Sequence, residues 1–269
     1  MSGRHAGNEN YPVASRLLPA RVRPHVLAFY ALARTADDIA DAAGLSGPEK
    51  LEVLELLSRQ LESGADEPCR PVHALHQSLK ETGVTPGHAQ DLLKAFMRDA
   101  SQSTTESWAD LMDYCRLSAA PVGRYLIDLM DGPGGGDYAA SDALCAALQV
   151  LNHIQDVKDD YVNLGRIYVP GDWMAATGVV KSDLGRDAST PELRKVMDRM
   201  LDGVDELLMQ AKPLPRAIKS KALAREAGGI LAIAWRLSRA LRVKDPLAER
   251  VQLSKPHAAL WFLWGALTA

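Results

Sequence analysis

Two acidic motifs stand at helical spacing in this chain. The first, Asp37 with Asp41, lies in FYALARTADDIADA, residues 29–42. At about 100° per residue, Tyr30, Arg34, Asp37 and Asp41 fall within roughly 60° of one another, and Asp38 lies off to the side. The second lies in LQVLNHIQDVKDDY, residues 148–161. There Gln149, Asn152, Asp156 and Asp160 share one face within roughly 80°, and Lys158 and Asp159 point elsewhere. A single acid pair is usually a solvated helix face. Here each pair stands on an otherwise apolar helix, so its face turns inward, where carboxylates one turn apart repel and are costly to bury. A divalent cation resolves both problems. Oxygen-only ligands, few per ion, suit magnesium, which keeps waters and takes substrate phosphates as further ligands. Two such pairs facing each other form an acidic mouth that a diphosphate can bridge while a carbon–oxygen bond breaks. Arg34 on the first face and Arg166 after the second motif supply positive charge. The space below the mouth should be apolar, to hold a prenyl chain and shield a carbocation from water.

Helical patterning carries these motifs. Ala and Leu are abundant and alternating Val/Ile/Thr runs are absent, which predicts an all-α fold. Helices are expected near 20–42, 48–63, 70–83, 87–99, 105–130, 139–163, 190–212, 216–241 and 245–266. Ser46-Gly47-Pro48-Glu49, Thr85-Pro86 and Thr190-Pro191-Glu192 read as helix starts. The run Gly132-Pro133-Gly134-Gly135-Gly136 reads as a loop between two long helical segments. Residues 164–189 form the longest expected irregular stretch, directly after the second motif, where a long loop is often functional. No repeat or linker divides the chain, so residues 1–269 are expected to form one domain.

The bulk properties exclude several classes. A net charge of -3 gives no basic field for nucleic acid. Three scattered cysteines fit a reducing cytoplasm better than a disulfide framework. The first residues lack the apolar core of a signal peptide, and no run is long enough to span a membrane. Two readings stand for the apolar tail from Pro256 to Ala269: a buried last helix, or a membrane-surface contact. The histidines form no cluster, and His25 and His153 read as core or boundary residues. No nucleophile elbow, zinc-type cysteine pair or dinucleotide fingerprint occurs.

Together with flanking segments, the acid pairs resemble those of the squalene and phytoene synthases, the head-to-head isoprenoid synthases. The likeness runs from about Asn8 to Arg250. It includes Leu17-Leu18-Pro19, Asp37-Asp38-Ile39-Ala40-Asp41, Tyr114-Cys115, Val122-Gly123, Gln149 with Asn152, Asp156-Val157-Lys158-Asp159-Asp160 and Gly165-Arg166-Ile167-Tyr168-Val169-Pro170. Within the family, Glu9 to Ser15, Ala33 to Asp41, Ser118 to Arg124 and Gln155 most resemble the hydroxysqualene synthases of bacterial hopanoid biosynthesis. That resemblance implies a single-domain helical bundle around a central cavity. It also implies ionisation of presqualene diphosphate, rearrangement of the cation and capture of water. A presqualene diphosphate synthase would supply the substrate, and a flavin-dependent reductase would consume the product. The competing expectations are a presqualene diphosphate, squalene, dehydrosqualene or phytoene synthase, or a non-enzymatic assembly factor of the same fold.

The resemblance assigns the magnesium–diphosphate cluster to Asp37, Asp41, Asn152, Asp156 and Asp160, in agreement with the helical arithmetic. Arg34, Arg166, Tyr168 and Arg250 become candidates for the diphosphate oxygens. Tyr30 and Tyr114 are candidates for steadying a cation or steering water, with a buried, satisfied tyrosine as the alternative. Asn10 and Tyr11 would close the mouth. Gln149 would share the second face. Ala119, Val122 and Gly123 would line the substrate channel or, alternatively, pack helices closely.

Overall fold

The computed structural model describes residues 17–63 and 69–269. They fold as helices, with no β-strand among the described residues beyond one isolated parallel bridge between Thr104 and Ile167. The chain order is α1 (Arg23–Ala40), α2 (Gly47–Ser63), α3 (Arg70–Thr82), α4 (Gly87–Ser101), α5 (Trp108–Ser118), α6 (Ala120–Asp131) and α7 (Tyr138–Gln155). A short α8 (Val157–Asp159) runs into a π-helical turn at Asp160–Leu164. Then come α9 (Gly171–Thr177), a 3₁₀ turn at Lys181–Gly185, α10 (Pro191–Ala211), α11 (Leu214–Ala217), α12 (Lys221–Val243) and α13 (Lys255–Thr268).

Local chemistry sets many of the starts. Ser107, Asp137 and Thr190 each accept a hydrogen bond from a first-turn amide, at Asp110, Ala140 and Leu193. Proline stands in the first turn of α1, α3, α6, α10 and α13, where its missing N–H costs nothing.

The expected helix 105–130 is two helices. Ala119 leaves helical geometry (φ -123°, ψ -46°), and Pro121 starts α6. The expected helix 139–163 breaks at Asp156 (φ -100°, ψ 10°). The last helix starts at Lys255, ten residues after the position expected. Asp245 instead ties the preceding segment down, accepting from the backbone and hydroxyl of Ser189 and from the amide of Leu247. The stretch 164–189, expected to be irregular, contains α9 and the 3₁₀ turn.

Apolar residues collect in two clusters. One gathers α1 to α4 around Leu54, Leu57, Val72, Leu75 and Leu93, with Tyr125 of α6 reaching into it. The other gathers α5 to α12 around Leu111, Leu151, Met200, Leu208 and Leu241. In this second cluster α7 packs on α6, α10 and α12, and α13 lies along α12. No helix of the described residues is long and apolar enough to cross a membrane.

Candidate active site

Both acidic motifs sit at the C-terminal ends of helices. Asp41 caps α1, and its amide still bonds to the Asp37 carbonyl at 2.9 Å, so the one-turn relation between the two acids holds. Asp156 caps α7, its amide on the Asn152 carbonyl at 2.8 Å, and the Asp160 amide continues the ladder onto Asp156 at 2.8 Å. A helix C-terminus carries unsatisfied carbonyls and the negative end of the helix dipole. Carboxylates there are unfavourable unless cations meet them, and two such ends therefore make a strongly cation-seeking surface.

One residue, Arg166, already joins them, by its guanidinium on one side and its backbone amide on the other. Gly165, in the left-handed region at φ 66°, reverses the chain after the π turn. The next four residues alternate as a strand would. Ile167 and Val169 enter the core, while Arg166 and Tyr168 turn toward the acids. Arg166 donates to Asp41 Oδ1 at 2.7 Å and to the Ala40 carbonyl at 2.9 Å, and its own amide bonds to the Asp160 carbonyl at 3.0 Å. The C-terminal end of α1 thus meets the second motif. Burial works against the Arg166 charge, but Asp99, Tyr168 and Asp41 outweigh it and hold its pKa above the ordinary value. On α1, Arg34 forks between Asp37 Oδ2 (2.7 Å) and Asp38 Oδ1 (2.6 Å), so Asp38 shares the cation of the first pair.

Beneath the acids lies a polar cluster that the sequence reading did not assemble. Tyr114 and Tyr168 donate to the two carboxylate oxygens of Asp99, each at 2.8 Å. His153 stacks on Tyr168 with centroids 3.7 Å apart, and its Nδ1 lies 3.6 Å from Asp160 Oδ2. Its Nε2 lies 3.2 Å from the Gln149 amide nitrogen. Arg98 stands over the Tyr114 ring at 5.4 Å. Burial raises the Asp99 pKa, against the Arg166 charge and both tyrosine hydrogen bonds. Burial and the Asp99 charge push Tyr114 and Tyr168 well up. Asp99 was legible in principle. It follows Leu92 and Ala95 on the buried face of α4, where a carboxylate needs partners.

The other expected residues fall as follows. Tyr30 is half-buried one turn before Arg34. Tyr114 is 4 % exposed, with its hydroxyl committed to Asp99. Gly123 packs against α7, for a Cβ there would stand 2.3 Å from Ser141 Oγ and 2.7 Å from Cys145 Sγ. Ala119 is buried at the α5–α6 break and Val122 is exposed. Lys158 pairs with Asp187 at 2.8 Å. Gln155 donates to the Val251 carbonyl at 2.6 Å, which ties the segment carrying Arg250 to the second motif. Arg250 itself is exposed and takes no ion-pair partner among the described residues. Asn10 and Tyr11 lie outside the described residues.

The donor set fits a divalent ion of the magnesium kind: carboxylate and amide oxygens at two negative helix ends. No group of three His, Cys, Asp or Glu side chains among the described residues converges as a complete metal cage. Ions here would draw further ligands from water and from a phosphate-bearing substrate.

The profile of the squalene/phytoene synthase family matches residues 4–257. The chain belongs to the squalene/phytoene synthase family. It is 42 % identical over 268 residues to the hydroxysqualene synthase of Rhodopseudomonas palustris, covering 100 % of this chain and 91 % of that one. It is 40 % identical to the hydroxysqualene synthase of Zymomonas mobilis, covering 95 % and 86 %. A squalene synthase structure from Alicyclobacillus acidocaldarius superposes with TM-score 0.74 at 31 % identity, covering 86 % and 87 %. A dehydrosqualene synthase structure shares the fold, with TM-score 0.80 at 23 % identity.

Proposed function

We propose that the chain is a hydroxysqualene synthase that converts presqualene diphosphate and water to hydroxysqualene and diphosphate. The observation that carries this reading is the near-full-length likeness, at 40–42 % identity, to relatives of that name. The acid-bearing helix ends supply its chemistry.

In this reading Asp37 and Asp41 on one side, and Asn152, Asp156 and Asp160 on the other, hold magnesium ions. Bound there, magnesium would draw the electron pair of the breaking carbon–oxygen bond onto the diphosphate. Arg34 and Arg166, each now bonded to carboxylates of the first motif, are the donors that would meet diphosphate oxygens. Asp99 orients Tyr168 and Tyr114 below them. Tyr30, one turn from Arg34, would steady a nearby cation through its ring. The buried apolar side chains of α5 and α7 keep bulk water away while the cation rearranges. A presqualene diphosphate synthase upstream and a reductase downstream follow from the reaction.

The enzyme is read as cytoplasmic, with α13 as a peripheral contact to the lipid phase in which its substrate and product dissolve. Support for that contact comes from Leu260, Leu263, Trp264 and Leu267, which are 56–83 % exposed. Arg236 stacks on Trp261 nearby, and Lys212 and Arg216 share a cleft with Trp264.

The decisive experiment gives the pure protein magnesium and presqualene diphosphate in oxygen-18 water, without reductant. The expected product is a C30 alcohol carrying the label. An unlabelled alcohol, or squalene formed only with reduced nicotinamide, would assign the chain to the one-step synthases instead.

A further inference from the structure

Serine and threonine inside helices have a habit in this protein. Thr35, Ser63, Thr82, Ser101, Thr177 and Thr268 each donate the side-chain hydroxyl to the carbonyl four residues back, at 2.7–3.0 Å. Ser118 does not. It is the last residue of α5, and its hydroxyl oxygen is buried with no hydrogen-bond partner among the described residues. A buried hydroxyl left unsatisfied costs free energy, and a native protein rarely tolerates one without a partner of another kind.

Its position gives that partner a role. Ser118 lies one helical turn beyond Tyr114, on the same side of α5 as the tyrosine that meets Asp99 under the acid motifs. The residues near it in the sequence, Cys115, Ala119 and Ala120, are small and buried. Tyr114 and Tyr168 have their hydroxyls committed to Asp99, which leaves Ser118 as a buried hydroxyl on this side of the site with hydrogen-bonding capacity to spare.

We propose that the Ser118 hydroxyl holds the water molecule that ends the reaction. The inference rests on the hydroxysqualene synthase reading and assigns its water a place. Ionisation breaks the carbon–oxygen bond, and both electrons leave with the diphosphate. After rearrangement, a lone pair of the held water forms the new carbon–oxygen bond. One proton of that water passes to a diphosphate oxygen, which leaves a neutral alcohol. Ser118 is a positioning residue for the water and gives up no atom.

The test compares wild type with Ser118→Ala and Ser118→Thr in oxygen-18 water with presqualene diphosphate. It records diphosphate release, labelled alcohol, hydrocarbon by-products and thermal unfolding. In Ser118→Ala the ratio of alcohol to hydrocarbon should fall about tenfold, the effect of one ordinary hydrogen bond, while diphosphate release and unfolding stay near wild type. Ser118→Thr, which keeps a hydroxyl, should keep most of the alcohol. An Ala variant with the wild-type ratio overturns the assignment, as does one that loses diphosphate release and alcohol in equal measure. A wild type that forms no labelled alcohol overturns the reaction itself and the water site with it, and that outcome is read from the wild-type arm alone.

Discussion

Replacing Arg166 by glutamine removes a side chain that joins the first acid motif to the segment following the second. Arg166 makes a charge-assisted bond to Asp41 and a bond to the Ala40 carbonyl, and its side chain is only 9 % exposed. The first bond contributes about 1.5–3 kcal/mol and the second about 0.5–1.5 kcal/mol, so their loss should cost about 2–4.5 kcal/mol. In a chain of this size that lowers the unfolding midpoint by roughly 5–15 °C. The assay is thermal unfolding by circular dichroism in chelator, where no added cation can take the guanidinium's place. The pH dependence gives a second reading. Asp99 has its folded pKa raised above 3.8, so the stability it contributes is fully present below that pH and is lost as pH rises through the folded value. Without the Arg166 charge the folded value rises further, because that charge is the largest of the influences that lower it. The deficit of the variant should therefore widen between acid and neutral pH. A midpoint within about 2 °C of wild type, flat with pH, would refute the bridge.

Asp37→Ala or Asp156→Ala should each lower turnover at least about a hundredfold, and chelator should abolish it, since charge develops on the leaving group at these residues; steady-state kinetics on presqualene diphosphate would show it. Gly265→Ala should lower the unfolding midpoint by at least about 4 °C, because the added carbon would stand 2.2 Å from the Gly228 carbonyl oxygen and push α13 off α12. The double change Leu263→Asp with Leu267→Asp should leave the midpoint unchanged, since both side chains are exposed, yet cut sedimentation with anionic phosphatidylglycerol vesicles at least about tenfold. Equal sedimentation of variant and wild type would remove α13 from the lipid contact.

Much of the site was legible because its signal is periodic. A one-turn spacing of acids on an apolar helix survives translation into structure, and Arg34, Asp37 and Asp41 stand as the arithmetic put them. Features set by tertiary packing were not legible. Nothing near Ala119 says that Pro121 opens a new helix rather than kinking one. The break at Asp156 is followed by the π turn and by left-handed Gly165, after which Arg166 reaches α1, a contact that the local sequence does not show. Gly123 reads as a channel lining or, alternatively, as a close helix contact, and its approach to α7 is set by tertiary packing that the sequence does not show. Asp99 escaped notice because its partners, Tyr114 and Tyr168, stand 15 and 69 positions away in the chain. His153 reads as a core or boundary residue, and it is buried, but its contacts with Asp160 and Tyr168 place it beside the acid motif as well.

The two apolar clusters give the Arg166 bridge a bearing on how the protein folds. The cluster around α1 to α4 draws almost wholly on residues near one another in sequence, and so can assemble early. Its attachment to the other cluster runs through α4 against α5 and α6, and through contacts of long sequence separation, among them Arg166 to Asp41 across 125 positions and Tyr125 to the His25 carbonyl across 100. The seam that carries the chemistry is therefore also one of the joints that make unfolding cooperative. A ligand that spans both acid motifs should merge the two halves into one melting unit, and a chain stripped of its cations should let the N-terminal helices open first.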